Sequence, residues 1–162
     1  MKLLQADATA DSISDVNYGG LWLEGVRGMV FDLDNTLCRW REDGLDEDVV
    51  ALLGELVGRG FKLAVLSNGR LSRRRQLLQQ LRDLKVPVIW PARKPCPWGF
   101  SRALSAIELR PSEAAMVGDQ VFTDVLGARL AGLRVVRVRP ISPWEHPATR
   151  VLRWLERLLS GK

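Results

Sequence analysis

The sequence predicts an α/β fold, a parallel five-stranded sheet with helices on both faces. Three observations predict it. Short apolar runs recur at residues 28–33, 62–67, 87–90, 114–119 and 134–139. Between them lie stretches whose apolar residues recur at three- and four-residue spacing, as on one face of a helix. Strand and helix alternate in order, which makes βαβ units and hence a parallel sheet covered on both sides.

The first twenty residues have weak periodicity, and Tyr18-Gly19-Gly20 reads as a turn. Leu21-Trp22-Leu23 starts a short packed segment that ends at Gly25. Residues 1–24 therefore read as an extension packed on or near a core domain of residues 25–162. The run at 28–33 is apolar enough to be buried on both faces. Residues 45–59 are helical, with Val49, Leu52, Leu53, Leu56 and Val57 on one face. Asp46, Glu47 and Asp48 lie in the first turn, where the helix dipole favours negative charge, and Gly60 ends the helix.

After the run at 62–67, Asn68-Gly69 is a turn, and residues 71–84 form a helix with Leu77, Leu78, Leu81 and Leu84 inward. Pro97 opens a helix that reaches about Leu109. Residues 121–131 make a helix closed by Gly132, and residues 147–159 a last one.

The chain has 162 residues, 46% hydrophobic and 27% charged, enough for a domain with a real core. The N-terminus lacks signal-peptide character, and no apolar run is long enough to span a membrane. The two cysteines, Cys38 and Cys96, suggest no disulfide framework and fit a reducing cytosol. The net charge of +5 would favour an anionic substrate, nucleic acid or acidic lipid, or reflect no specific partner.

In a parallel sheet, ligands bind beyond the carboxyl ends of the strands, near the switch in strand order. Asp32 and Asp34 end the first predicted strand, Ser67 and Asn68 the second, and Gly118 and Asp119 the fourth, with Asp124 just beyond. Lys94 follows the third. Carboxylates crowded in one place repel unless a cation joins them, and an all-oxygen set suits Mg²⁺. No cysteine–histidine cluster offers a zinc site, and His146, the single histidine, sits in a proline-rich loop.

Residues i and i+2 of an extended segment point the same way. Asp32 and Asp34 can thus face one substrate, one attacking phosphorus and the other handling a proton, while Leu33 points into the core. Asn35 and Thr36 turn the chain out of the strand. A DxD pair alone is more often only a loop cap; it is the four strand ends together that point to catalysis.

These pieces resemble the haloacid dehalogenase superfamily of phosphatases. The carriers are an apolar strand with DxDxT (Asp32, Asp34, Thr36), a strand ending in Ser67-Asn68, Lys94 in ARKP, and GDxxxxD (Gly118, Asp119, Asp124). The wording FDLDNTL, LSNGR, ARKP and GDQVFTDVLGA resembles the YqeG-type, class IIIA members, which are similar to mitochondrial phosphatidylglycerophosphate phosphatases.

The resemblance implies a Rossmann-like domain and assigns roles. Asp32 would be the nucleophile, forming an aspartyl-phosphate, and Asp34 the general acid and base. Mg²⁺ would be held by Asp32, the Asp34 backbone carbonyl and Asp119, with Asp124 orienting the shell. Ser67 and Lys94 would contact phosphoryl oxygens, and Thr36, Asn68 and Gly69 would shape the pocket.

The gaps after Leu37 and between Val86 and Pro95 are too short for a large cap domain, so the site is expected to be open or closed by a partner subunit. Arg70, Arg73, Arg74 and Arg75 cluster beyond the second predicted strand, and Arg93 adjoins Lys94. Arg70 and Arg93 in particular would bind a second substrate charge or an anionic membrane at its inner face; a solvated helix start is the alternative. Trp40, Trp90 and Trp98 lie near the open end and would line a groove or fill the core around it.

The expected function is Mg²⁺-dependent phosphomonoester hydrolysis, on phosphatidylglycerophosphate or another bulky anionic phosphate. The alternatives are a phosphatase of small soluble metabolites and a nucleic-acid- or ribosome-binding protein. No helix-turn-helix, zinc finger or aromatic RNA motif supports the last.

Overall fold

The computed structural model describes residues 2–143; the expected helix at 147–159 and His146 lie outside them. In chain order the elements are β1 (Ala8–Ala10), α1 (Tyr18–Leu23), β2 (Gly28–Asp32), α2 (Glu47–Gly58), β3 (Lys62–Leu66) and α3 (Arg75–Asp83). They continue with β4 (Val88–Ile89), α4 (Pro97–Ile107), β5 (Ala114–Gly118), α5 (Leu126–Ala131) and β6 (Arg134–Val138).

All neighbouring strands are parallel, in the order β1-β6-β5-β2-β3-β4. The sheet has six strands rather than the five expected. The extra strand is β1, whose Ala-Thr-Ala carries none of the large aliphatic side chains that mark the others. As an edge strand it needs no apolar faces; its pairing with β6, Ala8 opposite Val136, supplies its order. Just before it, the Asp7 backbone N–H donates to Val135 O at 2.8 Å and Asp7 Oδ2 accepts from Val135 N at 2.8 Å.

Three other elements differ from the sequence reading: α1, α3, and the helix expected over 121–131, which is π-helical over Val121–Val125 so that α5 starts at Leu126. A short helix, α1, stands where the sequence predicts a turn, because Asn17 Oδ1 caps the Gly20 N–H at 2.8 Å and Trp22 packs edge-on against Phe61. Helix α3 starts at Arg75 instead of residue 71, since Leu71–Arg74 closes a turn, with Arg74 N donating to Leu71 O at 2.9 Å.

Strand β2 is buried throughout and lies between β3 and β5. Its alternate residues serve two cores. Met29 and Phe31 pack with Leu53, Leu56, Leu77 and Leu81 from α2 and α3, and Val30 packs with Phe100, Leu104 and Ala128 from α4 and α5. From β2 the chain builds outward through β3 and β4, then crosses back to lay β5 and β6 on the other side. The switch in strand order therefore falls between β2 and β5, where a crevice opens at the carboxyl ends.

Candidate active site

Asp32 is the last residue of β2 and is buried. It shares the side of the strand that carries Val30, toward α4 and α5, and meets the Lys94 ammonium in a buried ion pair. Lys94 Nζ also donates to Asp124 Oδ1 at 2.7 Å. Asp119 follows β5 across the switch point and is fully buried. Oxygens of Asp32, Asp119 and Asp124 lie within 4.8 Å of one another. Thr36 Oγ1 donates to Asp32 Oδ2 at 3.3 Å and reaches Asp119 Oδ1 at 3.5 Å.

The local chain explains why these groups can meet. Asp124 sits in a wide, π-helical turn, Val121–Val125, and its Oδ2 accepts from Gln120 N at 3.1 Å. A Cβ added at Gly118 would lie 2.4 Å from Asp124 Oδ2, so glycine is what lets that carboxylate lie on the strand. Lys94 is held through its own peptide: its N–H donates to Asn68 Oδ1 at 2.8 Å and its carbonyl accepts from Asn68 Nδ2 at 3.0 Å. Arg137 Nε donates to the Asp119 carbonyl at 3.3 Å.

The electrostatics follow from burial. Loss of hydration pushes the Asp32 carboxyl well above its usual range, and Asp124 and Asp119 add to this while Lys94 opposes it. Burial works against the Lys94 charge, yet Asp124 and Asp32 outweigh it and raise its pKa. Three buried carboxylates beside one ammonium concentrate oxygen donors in a dry place. Hard oxygen donors so arranged fit a divalent cation of the Mg²⁺ type, and among the described residues this is the one such cluster.

Asp34 stands apart from that cluster. The strand has ended, Asn35 takes φ 65°, and the turn closes with Asn35 N donating to Cys38 O at 2.7 Å. The Asp34 carboxylate is one-fifth exposed and pairs with the buried Arg74, Nη1 to Oδ1 at 2.6 Å. Its other oxygen faces Gly69, where an added Cβ would lie 2.9 Å from Oδ2 and 3.3 Å from Ser67 Oγ. Ser67 is buried, and its Oγ accepts from Gly69 N at 3.0 Å. Leu33 is fully buried, as expected.

Arg70 and Arg93 are exposed. Neither makes an ion pair among the described residues, and Arg93 lies over the Trp98 ring at 5.7 Å. Trp90 and Trp98 are exposed and Trp40 is half-buried under Arg41.

Arg74, which the sequence groups with Arg70, Arg73 and Arg75 as an anion-binding cluster or a solvated helix start, is buried beside Asp34. The distinguishing signal was its spacing, three residues before Leu77 and seven before Leu81, which carries the inner stripe of α3 back onto it.

The chain matches the family described as haloacid dehalogenase-like hydrolase over residues 38–132. It is 34% identical to the "Probable phosphatase YqeG" of Bacillus subtilis over 132 residues, 82% of this chain and 75% of that one. It is 40% identical to the phosphoserine phosphatase of Thermus thermophilus over 111 residues, 62% of this chain and 45% of that longer protein. Among solved structures, a Had-superfamily hydrolase from Ehrlichia chaffeensis superposes with a TM-score of 0.54 at 15% identity, over 84% of this chain and 98% of its own.

Proposed function

The chain belongs to the haloacid dehalogenase-like hydrolases, and on that premise we propose that it hydrolyses phosphomonoesters through an aspartyl-phosphate on Asp32. The observation that carries this reading is the buried Lys94 ammonium between Asp32 and Asp124, with Asp119 beside them at the switch point.

In the proposed reaction an Asp32 carboxylate oxygen attacks phosphorus. The bond from phosphorus to the ester oxygen breaks, and that oxygen takes a proton from the Asp34 carboxyl and leaves as the alcohol. Water then attacks the phosphoryl group of the aspartyl-phosphate and gives a proton to the Asp34 carboxylate. The bond between phosphorus and Asp32 breaks, inorganic phosphate leaves, and both carboxyl groups are restored.

Lys94 and Ser67 contact the phosphoryl oxygens, and Lys94 offsets the charge that gathers on them. Asp32, Asp119 and Asp124, with the Asp34 carbonyl, would hold Mg²⁺. Bound there, the ion would neutralise phosphoryl charge as a Lewis acid.

The substrate reading is a bulky anionic phosphate, phosphatidylglycerophosphate in particular. Two features support it. The segments 38–46 and 90–96 are too short to form a cap, and exposed Arg70, Arg73, Arg75 and Arg93 follow β3 and β4 on the open side. Small soluble phosphates are the second reading, favoured by the similarity to a phosphoserine phosphatase.

The test is phosphate release with Mg²⁺ from phosphatidylglycerophosphate in mixed micelles and from a panel of soluble esters. Asp32→Asn and chelator-treated protein are the controls. Release should fall by about 10³-fold or more in Asp32→Asn with the fold intact, and vanish reversibly with chelator. Undiminished release by Asp32→Asn would overturn the mechanism, and the ranking of lipid against soluble esters decides the substrate.

A further inference from the structure

Arg74 is a buried guanidinium with three different partners. Nη1 donates to Asp34 Oδ1 at 2.6 Å, Nε to the Glu42 carbonyl at 2.7 Å and Nη2 to Cys38 Sγ at 2.9 Å. Its backbone is fixed as well, because Arg74 N closes the turn onto Leu71 and Arg74 is the residue from which α3 starts. The side chain thus ties three pieces of chain together: the turn after β2, the loop before α2 and the start of α3.

Burying an arginine is costly, and a surface lysine or arginine would serve an ordinary helix start as well. Its carboxylate partner is Asp34, the group that must place a proton on the leaving oxygen. Asp34 itself is confined on its other side by the Gly69 backbone. A fork that makes bonds in fixed directions can set the orientation of a carboxylate, where a point charge cannot.

We propose that Arg74 is the positioning residue for Asp34, holding its carboxyl group in line with the leaving oxygen while touching no substrate itself. The inference rests on the reading of Asp34 as general acid. It predicts an effect that depends on the leaving group. An aryl phosphate such as p-nitrophenyl phosphate expels a stable phenolate and needs little help from an acid, whereas an alkyl phosphate needs the proton.

The experiment compares kcat/KM, which reports the step that expels the leaving group, on these two esters for wild type, Asp34→Asn, Arg74→Gln and Arg74→Lys, with thermal melting of each. Asp34→Asn should lose about 10²- to 10⁴-fold on the alkyl ester and far less on the aryl ester. Arg74→Gln should show the same split at about 10- to 100-fold.

Arg74→Lys keeps the charge and is the variant to read if Arg74→Gln does not fold. It should show the split too, because an ammonium cannot hold Asp34, Cys38 and the Glu42 carbonyl in one plane. If both Arg74 variants slow the two esters equally, or slow neither, while Asp34→Asn discriminates, the positioning role is overturned. If Asp34→Asn does not discriminate, the general-acid reading falls and the positioning role with it.

Discussion

At Gly69 a methyl group would sit 2.9 Å from Asp34 Oδ2 and 3.3 Å from Ser67 Oγ, in contact with two groups of the proposed reaction. Asp34 cannot simply yield, because Arg74 holds it on the far side. Gly69→Ala should therefore move the carboxylate or the loop by a few tenths of an ångström or more. Turnover should fall about 10- to 100-fold while the melting temperature changes little, since the residue is half-buried in a loop. Kinetics beside a melting curve check this, and full activity would mean that Asp34 tolerates displacement. Asp32, Lys94, Asp119 and Asp124 were legible as a group because each ends or comes within a few residues of the end of a strand run, which fixes the side of the sheet on which it emerges. Arg74 was harder, since its neighbours Arg73 and Arg75 are exposed and composition cannot tell the three apart. Cys38, its sulfur partner, is buried too. Burial pushes that thiol up to about 12 against the opposing pull of Arg74, so the sulfur stays a neutral acceptor for the guanidinium.

The element that presents Lys94 is a loop with no regular structure of its own, between β4 and α4. What holds it is Asn68, from the loop after β3, whose amide bonds both the N–H and the carbonyl of Lys94. This pairing does the work of a strand ladder across two loops. Replacing Asn68 with alanine removes two hydrogen bonds to main chain, a cost of about 1–2 kcal/mol. That corresponds to a fall of about 2–8 °C in melting temperature for a domain of this size. It should also slow turnover about tenfold by loosening the approach of Lys94 to the phosphoryl position. Melting and phosphate release measured together test it; a loss of stability with no loss of rate would mean that the Asp32 and Asp124 carboxylates alone orient the ammonium. Such cross-loop bonds are invisible to periodicity, which reads one element at a time. The same limit hid β1 and moved the start of α3. The signal for β1 lies in its partner β6, and Leu71 stands seven residues before Leu78, a helical spacing although residues 71–74 form a turn.

At the scale of the whole molecule the N-terminal residues become part of the argument about the site. Strand β1 covers the outer edge of β6, and β6 supplies Arg137, whose guanidinium holds the carbonyl of Asp119. The edge is bound by more than the ladder. Arg129, on α5, donates to the Gln5 carbonyl at 3.0 Å and pairs with Asp7 at 2.7 Å. We propose that residues 2–24 fold with the described part of the core domain, residues 25–143, as one cooperative unit. Deleting residues 1–10 should leave β6 as an open edge and lower stability by about 2–3 kcal/mol, through the lost main-chain bonds and ion pair. Activity per folded molecule should fall only modestly, since β6 and β5 still separate the edge from Asp32. Urea unfolding followed by tryptophan fluorescence and by phosphate release checks both statements. The full-length protein should give one transition by both probes, and the truncated protein one transition at lower urea. Two separated transitions in the full-length chain would instead make the N-terminal segment an independent attachment, and the path from β1 through Arg137 to Asp119 would carry no stability to the site.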